Sequence, residues 1–155
     1  MNTAENLKLT GRLNIELRGP DGALKQAREV DNLVVNAGLA YIASRMVGTA
    51  KAVMSHMGLG SSATAAAAGQ TDLGSLLGAR EAIDTTTLVG ANLNQVQYVC
   101  GFEAGDATGA VTEAGIFNSG TAGAGDMLCR TTFAVVNKDA NDTMTVTWTI
   151  TLSAV

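Results

Sequence analysis

The chain has 155 residues, a length that usually forms one domain with a core stable enough to need no disulfides or metal ions. Its formal net charge of −4 argues against a nucleic-acid partner, because no basic patch is present to neutralise phosphates. Only 15% of the residues are charged and eighteen are glycine, a composition that favours subunit packing, so we expect a homo-oligomer rather than a free alanine-rich monomer.

The first ten residues are expected to form an N-terminal arm, followed by a single β-sandwich domain over residues 11–155. The N-terminal sequence lacks the apolar stretch of a signal peptide. No apolar run approaches the roughly 20 residues that cross a membrane, so we expect no membrane partner.

An N-terminal β-hairpin is the first predicted element. Leu13, Ile15 and Leu17 alternate with polar residues, a pattern typical of a half-buried strand. Residues 19–22 read Gly-Pro-Asp-Gly, which favours a tight turn. Residues 24–30 are therefore expected to run back along the first strand.

One α-helix is predicted over about residues 36–47. Asn36 could cap its first turn, and Gly48 sits where a helix commonly stops. Apolar residues recur at helical spacing between these two: Leu39, Ile42, Ala43, Met46 and Val47. We expect this apolar side to pack against a sheet.

The rest of the chain is predicted to be mainly β. Residues 61–69, which are rich in alanine, should form a surface loop, and residues 71–77 a short turn that buries three leucines, Leu73, Leu76 and Leu77. Strands are predicted at residues 53–60, 80–88, 95–104, 111–117 and 127–136. Turn residues between short strands favour an antiparallel β-sandwich that is jelly-roll-like or Ig-like.

The clearest strand covers residues 143–153. Five apolar residues alternate there with threonine or serine: Met144, Val146, Trp148, Ile150 and Leu152. We expect Trp148 and its alternate neighbours in the core, with the threonines on a solvated or interface-packed face. One threonine row is too few for an ice-binding surface, which needs several parallel rows.

No pattern of catalytic, cofactor-binding or metal-ligating residues is present, so we expect a protein that is not an enzyme and needs no cofactor. His56 is the only histidine, and the two cysteines lie at unrelated spacings, which argues against a zinc site. Gly58 and Gly60 lack the spacing of a phosphate-binding loop. Cys100 and Cys129 lie in separate predicted strands and could face each other, although two buried free thiols are the expected state.

Glu113 is predicted to be partly buried, because Gly115 on the same face of its strand has no side chain. A buried carboxylate needs a cation nearby. Arg130, in the neighbouring predicted strand, is the first candidate, and Arg80 is the second. We interpret Glu113 as a member of a structural ion pair rather than as a catalytic acid.

Three segments resemble a family of small structural proteins of tailed bacteriophages. They are VDNLVVNAGLAYIASRM, VMSHMGLGSSATAAAAGQTDLG and VTEAGIFNSGTAGAGDMLCRTTFAVVNKDANDTMTVTWTITLS. The family pattern has an Asn-Leu-Val strand before a helix, a His-Met-x-Leu-Gly strand before an alanine-rich loop, and a closing Thr-x-Thr-Trp-Thr strand. The resemblance covers roughly residues 28–153 and implies a component of the virion.

Similar chains serve either as head decoration (cement) proteins or as tail fibre, collar or baseplate adaptors. Here no shaft or receptor-binding domain follows the last strand, which favours a decoration protein that binds and stabilises the capsid shell. The resemblance then implies the major capsid protein as partner, with tail proteins as the alternative, and a small symmetric oligomer such as a trimer on the capsid lattice. Residues 1–9 and 60–69 are the expected contact segments.

Overall fold

The computed structural model describes residues 6–48 and 51–155. Over these residues the chain forms nine strands, all paired antiparallel, and one helix, which confirms the prediction of a mainly β fold. The elements are β1 Leu7–Arg18, β2 Leu24–Val34, α1 Asn36–Ser44, β3 His56–Gly60, β4 Glu81–Ala82, β5 Thr85–Val89, β6 Gln95–Phe102, β7 Gly109–Phe117, β8 Met127–Lys138 and β9 Thr143–Ala154. No helix among the described residues is long and apolar enough to cross a membrane.

The strands form one curled sheet in the order β4-β3-β7-β8-β2-β1-β9-β6-β5. β2 pairs with β1 along most of its length but with β8 only through Leu33 and Val34, so it joins two halves. We call β2, β1, β9, β6 and β5 the threonine half, and β4, β3, β7 and β8 the loop half. The two ends approach each other where Ile83 N–H donates to the Ser55 carbonyl at 2.9 Å and Asp84 N–H donates to the Val99 carbonyl at 2.8 Å.

The curl encloses one apolar core between the two halves. The threonine half contributes Leu13, Ile15, Leu17, Tyr98, Cys100, Phe102, Met144, Val146, Trp148 and Ile150; the loop half contributes Met57, Leu59, Ala114, Ile116, Leu128 and Cys129. The predicted jelly-roll-like or Ig-like sandwich stays a prediction, since the strands are hydrogen-bonded into a single sheet.

The last strand, β9, buries most of its apolar residues, as the alternation of apolar residues and threonines predicts. Trp148 in β9 is fully buried, opposite Leu13 in β1 and Tyr98 in β6. Its indole N–H donates to Asn32 Oδ1 at 2.9 Å. β1 pairs with β9 from Leu7 onward, so residues 7–10 of the expected arm belong to the sheet, while residues 1–5 lie outside the described residues.

The helix differs from the prediction in its end, its cap and its buried face. It ends at Ser44, and Asn36 makes no side-chain cap because Val35 occupies the N-cap position. Its buried residues are Gly38 and Tyr41. Four of the five residues expected on the packed side are exposed, and the fifth, Ile42, is half-buried; the exposed four are Leu39, Ala43, Met46 and Val47. The reason is a close backbone contact: a Cβ on Gly38 would overlap the carbonyl of Leu128 in β8.

Residues 61–77 form an outer layer over the loop half. Alternate residues of a strand point to opposite faces, so Glu113 and Gly115 face away from the core that Ala114 and Ile116 enter. The segment covers that outer face, where a Cβ on Gly115 would come within 3.1 Å of Leu73. A second small core lies beneath it: Val35, Phe117 and Met127, with Ala37 and Leu73. Residues 71–77 form no helical turn.

Candidate functional site: an uncharged loop platform

Two irregular loops, residues 61–76 and 118–126, lie next to each other on the outer side of the loop half. We call them together the loop platform. Neither loop contains a helix or any of the nine strands of the sheet. Irregular backbone of this kind needs other partners for its polar groups, and buried charged side chains supply many of them.

Glu113 holds the first loop. Its carboxylate is fully buried and accepts hydrogen bonds from the backbone N–H groups of Ser62 at 3.2 Å, Gly74 at 2.9 Å and Ser75 at 2.7 Å. Its charge is balanced by Arg130, also fully buried, whose Nε donates at 2.9 Å and whose Nη2 lies 2.7 Å from Oε2. The predicted pairing of Glu113 with Arg130 is confirmed, and one carboxylate anchors both ends of the loop.

Arg130 extends this network to the tip of the loop. Its Nη1 donates to Gln70 Oε1 at 2.9 Å. The same oxygen accepts the Ala67 N–H at 2.9 Å, and Gln70 Nε2 donates to the Ala65 carbonyl at 3.3 Å. The alanine-rich stretch is therefore ordered by a polar side chain on its own loop and by a buried arginine beneath it.

Arg80 holds the second loop. Its guanidinium, almost fully buried, lies 3.6 Å from the ring centre of Phe117, a cation–π arrangement. Its Nη1 donates at 2.9 Å to three backbone carbonyls, those of Ser119, Thr121 and Ala124. Arginine suits this role because its donors are fixed in a planar fork.

Asp72 connects the two loops. Its Oδ1 accepts from Arg80 Nη2 at 3.0 Å, and its Oδ2 accepts from the Gly123 N–H at 3.0 Å. Arg80, the second candidate partner of Glu113, thus pairs with Asp72 instead. Sequence patterns gave no signal for this pair, because its contacts join an irregular loop to another irregular loop.

The most exposed positions of the platform carry no charged side chain among its described residues. The exposed positions are Ser61, Ala63, Thr64, Ala65, Ala67, Ala68, Gly69, Thr71, Gly74, Ser75, Gly120, Thr121, Ala122, Gly123 and Gly125. The two acidic side chains of the platform are partly exposed, and both are paired: Asp72, 35% exposed, with Arg80 as described, and Asp126, 25% exposed, with Lys51 Nζ at 2.9 Å. Such a surface is suited to close packing against another protein.

The remaining candidate residues are His56, whose ring lies against Gly120 of the platform, and the two cysteines. His56 in β3 is half-buried, with Nδ1 2.8 Å from Ser55 Oγ. The described residues contain no cluster of three side chains that could hold a metal ion. Cys100 and Cys129 are both free and buried in the core, which confirms the expected free thiols. Burial raises the pKa of Cys100 to about 12 and that of Cys129 well above its ordinary value.

The outer face of the threonine half is a second, polar surface. The β9 threonines lie between Arg12 and Asn14 of β1 and Gln95 and Gln97 of β6. Arg12 also forms an exposed ion pair with Glu29 of β2. The face therefore presents the threonine row of β9 with mixed polar neighbours, and Thr85 and Thr87 of β5 lie on the same face.

Comparison with known protein families, with characterised proteins and with solved structures finds no significant match.

Proposed function

We propose that this protein is a structural component of a tailed-bacteriophage virion, and that it is a head decoration protein that binds the capsid shell through the loop platform. The observation that carries the proposal is the platform itself: two irregular loops, held from beneath by buried charged side chains, expose mainly small uncharged residues, and the two partly exposed carboxylates, Asp72 and Asp126, are ion-paired. The resemblance of residues 28–153 to small virion proteins supports the first part of the proposal, a role as a virion component.

Because the platform loops are already ordered, the entropic cost of binding a partner would be lower. A mobile loop loses conformational freedom when it binds a partner, at about 0.5–1.5 kcal/mol for each immobilised, flexible side chain. In this protein Glu113 and Arg80 already fix the platform backbone, and alanine and glycine side chains have almost no rotamer freedom to lose. Binding energy from the buried surface is then retained as affinity.

The small exposed side chains would also let a partner backbone approach closely. A stable protein interface buries about 800 Å² on each partner, and apolar area contributes about 25 cal/mol per Å² before the costs of association. The proposed partner is the major capsid protein, bound at repeated positions on the shell. The proposed role is mechanical, since it joins neighbouring capsid subunits and requires no reaction.

The number of copies of this chain per virion tests its proposed location on the head. Virions of a phage that encodes this chain would be purified and their proteins quantified by mass spectrometry. We expect a copy number comparable to that of the major capsid protein, and heads lacking the chain should rupture more easily under osmotic shock. A few copies per virion, with antibody labelling at the tail, would instead support a tail fibre, collar or baseplate adaptor.

Charge substitutions test whether the platform is the contact surface. Ala65→Lys and Thr121→Lys each place a charge on an exposed platform position, while Thr145→Lys places the same charge on the exposed face of the threonine half, opposite Glu16. We expect the two platform variants to bind purified heads that lack the chain at least tenfold more weakly, and the Thr145 variant to bind normally. Unchanged binding of both platform variants would exclude the loop platform as the surface that contacts the capsid.

A further inference from the structure

β5 presents an open strand edge at one end of the sheet. Within residues 6–48 and 51–155 it pairs with β6 on one side only, and it is the last strand in the sheet order. Its sequence, Thr-Thr-Thr-Leu-Val, combines β-branched residues that favour extended pairing with a complete absence of charge. The uncharged stretch continues through residues 85–99, so the whole β5–β6 hairpin carries no charged side chain.

Two other open edges of the described strands are protected, and the edge of β8 beyond Arg130 lies beside β2, where Thr131 Oγ1 donates to the Asp31 carbonyl at 2.8 Å. β4, at the opposite end of the sheet, has only two residues. The free side of β2 carries Lys25, Arg28, Glu29 and Asp31, and charged residues on an edge oppose the addition of another strand. Natural proteins shorten or charge their open edges for this reason, and β5 shows neither feature.

An apolar groove lies directly beside this edge. It measures about 410 Å³ and runs between α1 and the core-facing side of β5, β6 and β9. Tyr41, Ile42, Val96 and Leu152 line it, and Leu88 of β5 forms its outer wall with 59% of its surface exposed. The charged residue in its wall, Arg45, donates to the Lys51 carbonyl at 3.0 Å.

We infer that β5 pairs antiparallel with β5 of a second copy of this chain, across a two-fold axis at Thr87. In that register Thr85 of each copy lies opposite Val89 of the other, and Thr86 of each copy lies opposite Leu88 of the other. The strand is therefore complementary to itself, and no like charges meet. A symmetric pair satisfies the free backbone groups of both edges at once, which is why a second copy is the occupant.

The same register covers the groove. Thr86 and Leu88 face the core side of the sheet, because they pair with Tyr98 and Val96 of β6. Each Leu88 would therefore lie against Thr86 of the other copy, at the mouth of the other copy's groove. On the opposite face, the polar row through Thr149, Gln97 and Thr87 would continue across the two-fold axis into the second copy.

Analytical ultracentrifugation of the isolated chain and its variants tests this inference. We expect the unmodified chain to sediment as a dimer and Thr87→Lys to sediment as a monomer, because two lysines would then lie opposite each other at the axis. Thr145→Lys is the matched control, with the same added charge in the middle of the sheet, and it should remain dimeric. The buried tryptophan fluorescence of each variant confirms that it is folded.

A cross-link tests the register independently. Directly opposed residues of antiparallel strands have Cα atoms about 4.5–5.5 Å apart, within the range of a disulfide. Thr87→Cys should therefore form a covalent dimer under mild oxidation, and Thr145→Cys should not. A monomeric or trimeric unmodified chain, a dimer that Thr87→Lys leaves intact, or no cross-link through position 87 would overturn the inference. These measurements use the isolated protein, so they stand or fall separately from the virion function.

Discussion

Replacing Glu113 with glutamine should remove a large part of the stability of the fold. The substitution keeps the shape of the side chain but leaves Arg130 as an unbalanced charge, and both residues are fully buried. Breaking a buried ion pair in this way costs about 3–5 kcal/mol. The glutamine NH₂ group also meets backbone donors of Gly74 or Ser75, and an unsatisfied buried donor costs about 1–3 kcal/mol more.

The expected loss is therefore about 4 kcal/mol or more, against a typical total of about 5–15 kcal/mol for a domain. That corresponds to roughly a thousandfold change in the folding equilibrium. Urea denaturation followed by the fluorescence of Trp148, the only tryptophan, measures it directly. Hydrogen exchange at Gly74 and Ser75 should become fast in the variant, because both amides lose their carboxylate acceptor.

Glu29→Gln provides the matched control. Glu29 also pairs with an arginine, Arg12, but more than half of each side chain is exposed. Exposed pairs contribute little, so this variant should unfold close to the unmodified protein. A loss below about 1 kcal/mol for Glu113→Gln, the range of an exposed pair, would refute the argument that buried charge holds the first platform loop.

Three further outcomes follow from the core and its edges. Trp148→Ala should cost about 3–5 kcal/mol by circular dichroism in urea, because the side chain is fully buried; an effect near zero would mean that the assigned face is inverted. A hydrogen bond from Lys25 holds the pKa of Asp142 below its ordinary value of 3.8. The ionised carboxylate therefore stabilises the fold above pH 3.8, and this contribution disappears as the pH falls through the lowered pKa. Asp142→Asn should show a flatter acid denaturation curve than the unmodified protein, and identical curves would contradict this expectation. A thiol reagent at pH 8 should leave Cys100 and Cys129 unmodified until urea is added, because burial raises both pKa values; rapid reaction of the native protein would place a thiol at the surface.

The strands were predictable because their signals are local. The alternation in residues 143–153 correctly predicts a strand with Trp148 inside, and the turn at residues 19–22 correctly predicts the first hairpin. The pairing of Glu113 with Arg130 was also predictable, since a carboxylate beside a glycine on one face requires a nearby cation.

The platform was not predictable in the same way, because its contacts depend on tertiary structure. Residues 80–88 appear as one strand in the sequence, yet the chain changes partner there: β4 pairs with β3 and β5 pairs with β6. That change places Arg80 beneath an irregular loop with no periodic pattern. The helix shows the same limit, since a close contact between Gly38 and the Leu128 backbone decides which face is buried.

A cryo-electron reconstruction of the virion that resolves this chain tests the proposed function most directly. We expect density for the chain on the head, with residues 61–76 and 118–126 in contact with the major capsid protein. The outer face of the threonine half should be turned away from the shell. Density for the chain at the tail, or on the head with both loops facing solvent, would contradict the assignment of the loop platform as the capsid-binding surface.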